Sequence, residues 1–148
     1  MGRVPDLPPA SRPDFAGHPA TIGSILCYKV LLMLSIRNLT RNTVLATAAQ
    51  VADTSKKRRS GLLKLTGLPE GGGLWISPCE AIHTIGMKFP IDVLFLDRSK
   101  KVVKVRKEMG SGRLAVCLRA HSVLELPAGT SAATQTVPGD QLQFEKIL

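Results

Sequence analysis

Cysteine, aromatic and acidic residues are all scarce in this chain. Three cysteines in 148 residues are too few for the disulfide framework of a small secreted scaffold, and in a reducing compartment such thiols are structural, metal-binding or reactive. Aromatic residues make up 4% of the chain, and Trp75, Phe89, Phe95 and Phe144 lie in apolar runs, so aromatic platforms for base stacking are missing. No apolar run reaches the roughly 20 residues of a membrane-spanning helix. The nearest, ILCYKVLLML at 25–34, is half that length and carries Lys29. Eleven acidic residues against twenty basic ones leave a formal charge of +9, which invites phosphate-bearing partners.

The remaining composition, 44% hydrophobic and 21% charged, is that of an ordinary soluble globular protein able to fold without metal or disulfides. Residues 1–32 are the exception. They begin with a Pro-rich stretch without periodicity and read as a disordered or over-called leader, with Met33 as the natural start of a single compact β-rich domain over 33–148. Without a genuine leader the expected location is cytoplasmic; with one, the protein is exported.

From Met33 the patterning is mainly β. Strands are expected at 34–39, 44–51, 74–77, 91–97, 102–107, 122–127 and 141–147, separated by polar turns of which Pro138-Gly139-Asp140 is the strongest. One substantial helix is expected at 53–65, opening on Asp53, Thr54 and Ser55 and interrupted by Gly61, with a short one at 130–136. Residues 70–73 read as a flexible glycine turn, and 78–86 as an irregular segment or single helical turn. The fold class is an antiparallel β-sandwich or rolled sheet or barrel, with α+β as the alternative.

The stretch 74–97 carries the densest chemistry. A helical turn after Pro78 would put Cys79 and His83 on one face, where they could share a proton or a metal. A second C-x-x-x-H group follows as Cys117 and His121. Together these four residues are weak candidates for a Cys₂His₂ zinc site, because accepted zinc patterns space their cysteines more tightly. No cofactor is expected on balance, zinc being the alternative.

Asp92 and Glu125 each interrupt an apolar strand. On 91–97 the alternation puts Asp92 on the face of Leu94 and Leu96, where an unpaired carboxylate is costly. An internal lock is the expected role, with His83, Thr84, Lys88 or Arg119 as partner and Met87 as a core plug. The catalytic alternative uses Cys79 as nucleophile, His83 as base and Asp92 or Glu125 to orient it. These residues do not decide between an enzyme and a binding module.

The basic clusters read as solvated faces: residues 56–59 on the helix, residues 98–107 alternating with Val102, Val103 and Val105 on a strand. A nucleic-acid surface would require the two clusters to be continuous.

Two blocks resemble a known family. IHTIGMKFPIDVLFLD at 82–97 and VLELPAG at 123–129, with Pro138-Gly139-Asp140 behind them, are similar to the motifs of the domain-of-unknown-function-192 family of small bacterial and archaeal proteins. The resemblance spans about residues 33–144 and implies a compact β-rich domain, without a catalytic assignment. Many members carry Phe-Trp-Met before the basic residue, where this chain has Ile85-Gly86-Met87. The functional expectation is a module that binds a small ligand or protein in a polar pocket near the 82–93 and 123–129 segments, through Thr84, Met87, Lys88, Asp92 and Glu125.

Overall fold

A computed structural model describes residues 32–147. In chain order these form β1 (Met33–Asn38), β2 (Thr43–Ala52), α1 (Ser55–Ser60), β3 (Gly72–Ile76), β4 (Ala81–His83), β5 (Ile91–Leu96), β6 (Val102–Met109), β7 (Leu114–Val116), β8 (Ser122–Pro127), α2 (Thr130–Ala133) and β9 (Leu142–Lys146). The expected leader falls outside the described residues except for Leu32, which packs against the core.

Seven strands form one sheet in the order β6-β5-β8-β3-β2-β1-β9, and β4 pairs with β7 in a second, small sheet. The large sheet is antiparallel except between β2 and β3, which run parallel and are joined through α1. Its two edges approach each other where Lys101 bridges Gln141. Asp140 O there accepts from Val102 N at 2.9 Å and Lys100 O from Leu142 N at 3.0 Å. The sheet is thus a curled half-barrel, one of the mainly β forms that the strand pattern predicts.

Both faces are packed. Leu34, Ile36, Leu94, Leu96, Leu124 and Leu126 fill one core. Ile76, Ile91, Val93, Phe95 and Val123 fill another on the opposite face, closed by Ile82, Met87 and Ala115. Every residue of β5 is therefore buried, which is why that run is apolar throughout rather than alternating.

Three local expectations are overturned. The helix is half the expected 53–65 span: it starts with Thr54 Oγ1 accepting from Lys57 N at 3.2 Å and stops at Gly61, where φ is +43°. That region is costly for any residue with a β-carbon, and past it Leu62 drops into the second core. Residues 78–86 do not form a helical turn: Ala81–His83 is strand β4, which buries Ile82 between two exposed neighbours and pairs it with Ala115. The glycine run is only partly a turn. Gly71 has φ +76°, but Gly72 and Gly73 open β3, and a β-carbon at Gly73 would lie 3.1 Å from both Glu125 O and Leu126 Cδ2.

Candidate functional site

The sheet register separates the two carboxylates that the sequence pairs. Across β5 and β8, Val93 faces Glu125 while Asp92 faces Leu126, so Glu125 belongs to the face of Val93 and Asp92 to the face of Leu94 and Leu126.

Asp92, fully buried, is a lock as expected, but with different partners. One carboxylate oxygen accepts from Glu108 N at 2.8 Å and Gly129 N at 3.2 Å. The other accepts from Ser131 N at 2.7 Å and from Ser131 Oγ. It thus ties the end of β6 to the start of α2, and His83, Lys88 and Arg119 take no part. Thr84 is a second lock away from it: its hydroxyl donates to Gly110 O at 2.6 Å and accepts from Arg113 N at 2.9 Å.

Glu125 sits where β8 needs an apolar residue, between Leu74 of β3 and Val93 of β5. It is 4% exposed, and its Oε2 is buried without a hydrogen-bond partner among the described residues. Burial alone pushes its carboxyl up to about 7. It lies at the floor of a cavity of about 200 Å³ whose walls include Leu62, Ile76, Ile82 and Met87 and whose rim carries Arg58 and Arg59. Cys79 and His83 line the same cavity, so three candidates from the sequence, Cys79, His83 and Glu125, meet there together with Met87.

The cavity is lined by α1 and the Gly61–Leu63 stretch, by Ile76 at the end of β3, by the Ala81–His83 strand and by Glu125 of β8. Arg58 is held by carbonyls, Asp53 O at 2.7 Å and Ser77 O at 3.3 Å. Helical patterning alone puts this residue on a solvated face; the signal for its actual role is the position of the basic run immediately before apolar residues that close a parallel crossover.

Burial pushes the Cys79 thiol up, and the negative charge of Glu125 adds to the effect. The thiol donates to Ala81 O at 3.1 Å. A thiol so placed is protonated at neutral pH and lacks the electropositive setting of an activated nucleophile. His83 is exposed at the end of the extended Ala81–His83 strand, so it shares no helical face with Cys79, although both border the cavity.

The two C-x-x-x-H segments do run side by side. Cys79 N donates to His121 O at 2.9 Å, and Cys117 N to Glu80 O at 2.8 Å. His121 nevertheless faces a different cleft from His83, and Cys117 borders neither. Among the described residues no three His, Cys, Asp or Glu side chains come together as a metal site would need.

The basic clusters are also set apart. Residues 56–59 lie on α1 after β2, whereas β6 is the far edge of the sheet, beyond β3, β8 and β5. Lys100 lies over the Trp75 ring at 4.5 Å and Lys104 over that of Phe95 at 5.7 Å, so both cover aromatic core residues rather than forming a free strip. No helix among the described residues is long and apolar enough to cross a membrane.

The fold has solved counterparts. A protein of unknown function from Novosphingobium aromaticivorans DSM 12444 superposes with a TM-score of 0.66 at 18% identity, covering 76% of this chain and 84% of that one. A chain from Sinorhizobium meliloti 1021, provisionally named a transcription regulator, superposes with a TM-score of 0.67 at 18% identity, covering 76% and 92%. At that identity the likeness is one of fold. No curated protein matches the chain. Residues 37–144 match the profile of the domain-of-unknown-function-192 family, described as an uncharacterized ACR, and the chain belongs to that family.

Proposed function

We propose that the protein is a small-molecule-binding domain whose ligand enters between α1 and β4 and is read by Glu125. The observation that carries this reading is the carboxyl group itself, buried at the floor of an apolar cavity with one oxygen unpartnered. A core has no structural use for such a group, since its desolvation destabilises the fold. It becomes useful when a ligand supplies a hydrogen-bond donor. The cavity volume of about 200 Å³ suits a compact ligand with an apolar body, the donor pointing inward and any anionic group outward toward Arg58 and Arg59.

Binding is favoured over thiol catalysis because the Cys79 thiol is pushed up rather than down. We further propose a cytoplasmic location, where the free thiols of Cys79 and Cys117 would stay reduced. The relative provisionally named a transcription regulator raises a nucleic-acid role, but the separated basic clusters and covered aromatics favour the small ligand.

The test is a small-molecule screen by amide NMR on the wild type and on Glu125→Leu. Ligands that shift the Ala81–Met87 amides are expected to bind the wild type and to bind the variant at least ~10-fold more weakly, while the variant itself is more stable. Ligands that bind both proteins equally, or no ligand shifting those amides, would overturn the reading.

A further inference from the structure

The larger cleft, on the other side of Cys79, is about 520 Å³ and has a different chemistry. It is bordered by Arg98 from the turn after β5, and by Leu118, Arg119 and His121 from the connection between β7 and β8. We propose that this cleft binds a phosphate monoester group of a small metabolite, with Arg98 and Arg119 as the anion-binding side chains.

The positive charge bordering this cleft has no ion-pair partner among the described residues. The ion pairs among the described residues are Arg41–Asp140 and Lys57–Asp53, so neither Arg98 nor Arg119 has a carboxylate partner there. The acid next to Arg98 in sequence, Asp97, is committed elsewhere: its Oδ1 accepts from Ser99 N at 2.9 Å, Ser99 Oγ at 2.7 Å and Lys101 N at 3.0 Å. Two arginines thus border one concavity without a carboxylate in ion-pair contact among the described residues. A guanidinium offers paired donors that match phosphate oxygens, and two of them on one cleft suit a dianion such as a phosphate monoester.

The backbone under the cleft is fixed. His121 N donates to Leu96 O at 2.7 Å, its carbonyl accepts from Cys79 N at 2.9 Å, and Ala120 N donates to Cys117 O at 2.9 Å. The backbone of the segment carrying Arg119 and His121 is therefore tied to both β5 and the Cys79 segment ahead of β4, which fixes the stems from which the two exposed arginine side chains reach the cleft. Leu118 stands 79% exposed beside them, an apolar wall for the organic part of an ester. A concave site with one such wall suits a small ester better than a polymer backbone.

One lining residue opposes the anion. The Glu80 carboxylate also borders the cleft and repels phosphate, which gives the proposal a sign to be tested. Inorganic phosphate is titrated into the full chain, followed by amide NMR, against chloride at equal ionic strength. Arg98→Gln and Arg119→Gln are each expected to weaken binding at least ~5-fold. Glu80→Gln is expected to tighten it ~2-fold or more, and Lys64→Gln on the exposed loop to leave it unchanged. Exposed, unpaired arginines are dispensable for folding, which superimposable thermal melts of the variants will verify. Equal affinities in the arginine variants, weaker binding in Glu80→Gln, or the same shifts with chloride would each overturn the proposal. So would binding of a DNA duplex that depends on the same arginines without any response to phosphate. The outcome is distinguishable from that of the Glu125 test, because Glu125 does not border this cleft.

Discussion

Asp92 and Glu125 lie one position out of register on neighbouring strands, and that offset gives them opposite roles. Asp92 accepts three backbone N–H groups and one hydroxyl. Asp92→Ala would leave these donors buried and unpaired, with an expected loss of about 3 kcal/mol or more in urea denaturation. Lys57→Ala trims an exposed pair with Asp53 at 3.2 Å and is expected to change stability by less than ~0.5 kcal/mol. Equal losses would refute the lock. Glu125 behaves in the reverse sense. Its carboxyl is raised from 4.5 to about 7 on folding, so between those values the native state holds a proton that the unfolded state has released. Stability is then expected to fall as pH rises from about 4.5 to 7, by on the order of 3 kcal/mol at most, and to level off above. In Glu125→Gln that slope should vanish, and denaturation curves across this range decide it. That both carboxylates interrupt apolar strands was legible in the sequence. The face of Asp92, shared with Leu94 and Leu96, was legible too; that Glu125 lies on the opposite face was not, because it depends on the register in which β8 pairs with β5.

Strand β8 and the hairpin of β5 and β6 could be read directly, since long apolar runs bounded by turn residues leave few alternatives. Strands β4 and β7 could not: at three residues each, with Leu114 and Val116 exposed, their only reason to be extended is each other and the core beneath them. The missed pair is what turned an expected helical Cys79–His83 face into two separate positions. Helix α1 was overextended for a related reason, because Leu62, Leu63 and Leu65 keep helical spacing after the backbone has left the helix at Gly61. That exit is testable. The φ of +43° and the open space that a β-carbon would enter there mean that Gly61→Ala has a conformational cost and no clash, expected to be about 1 kcal/mol. If thermal denaturation shows no loss, or a gain, the helix continues through Gly61 in solution and the cavity over Glu125 is smaller than described.

At the scale of the whole molecule, the curled sheet depends on a polar node at its closing edge. Asn38 ends β1, and its side-chain amide donates to Asp140 Oδ2 at 2.9 Å and to Thr136 Oγ1 at 3.1 Å. Arg41 in the following turn reaches Asp140 at 3.1 Å, and Val137 N donates to the same carboxylate at 3.1 Å. The node joins the β1–β2 turn to the turn before β9, where β6 and β9 meet. The sequence marked Pro138-Gly139-Asp140 only as a turn, because a partner about a hundred residues away leaves no local signal. Burial opposes ionisation of Asp140, but Asn38, Arg41 and Val137 together hold its carboxyl below the ordinary 3.8. A carboxyl lowered on folding contributes stability at any pH above its unfolded value and loses it as pH falls through the folded one. Asp140→Asn is therefore expected to cost about 2 kcal/mol at neutral pH. The difference from the wild type should shrink only below about pH 4, clear of the Glu125 window. Because Asn38, Arg41 and Asp140 share one network, Asn38→Ala and Asp140→Asn combined should cost less than the sum of their separate losses. Strict additivity in that double-mutant cycle would mean that the half-barrel closes without them.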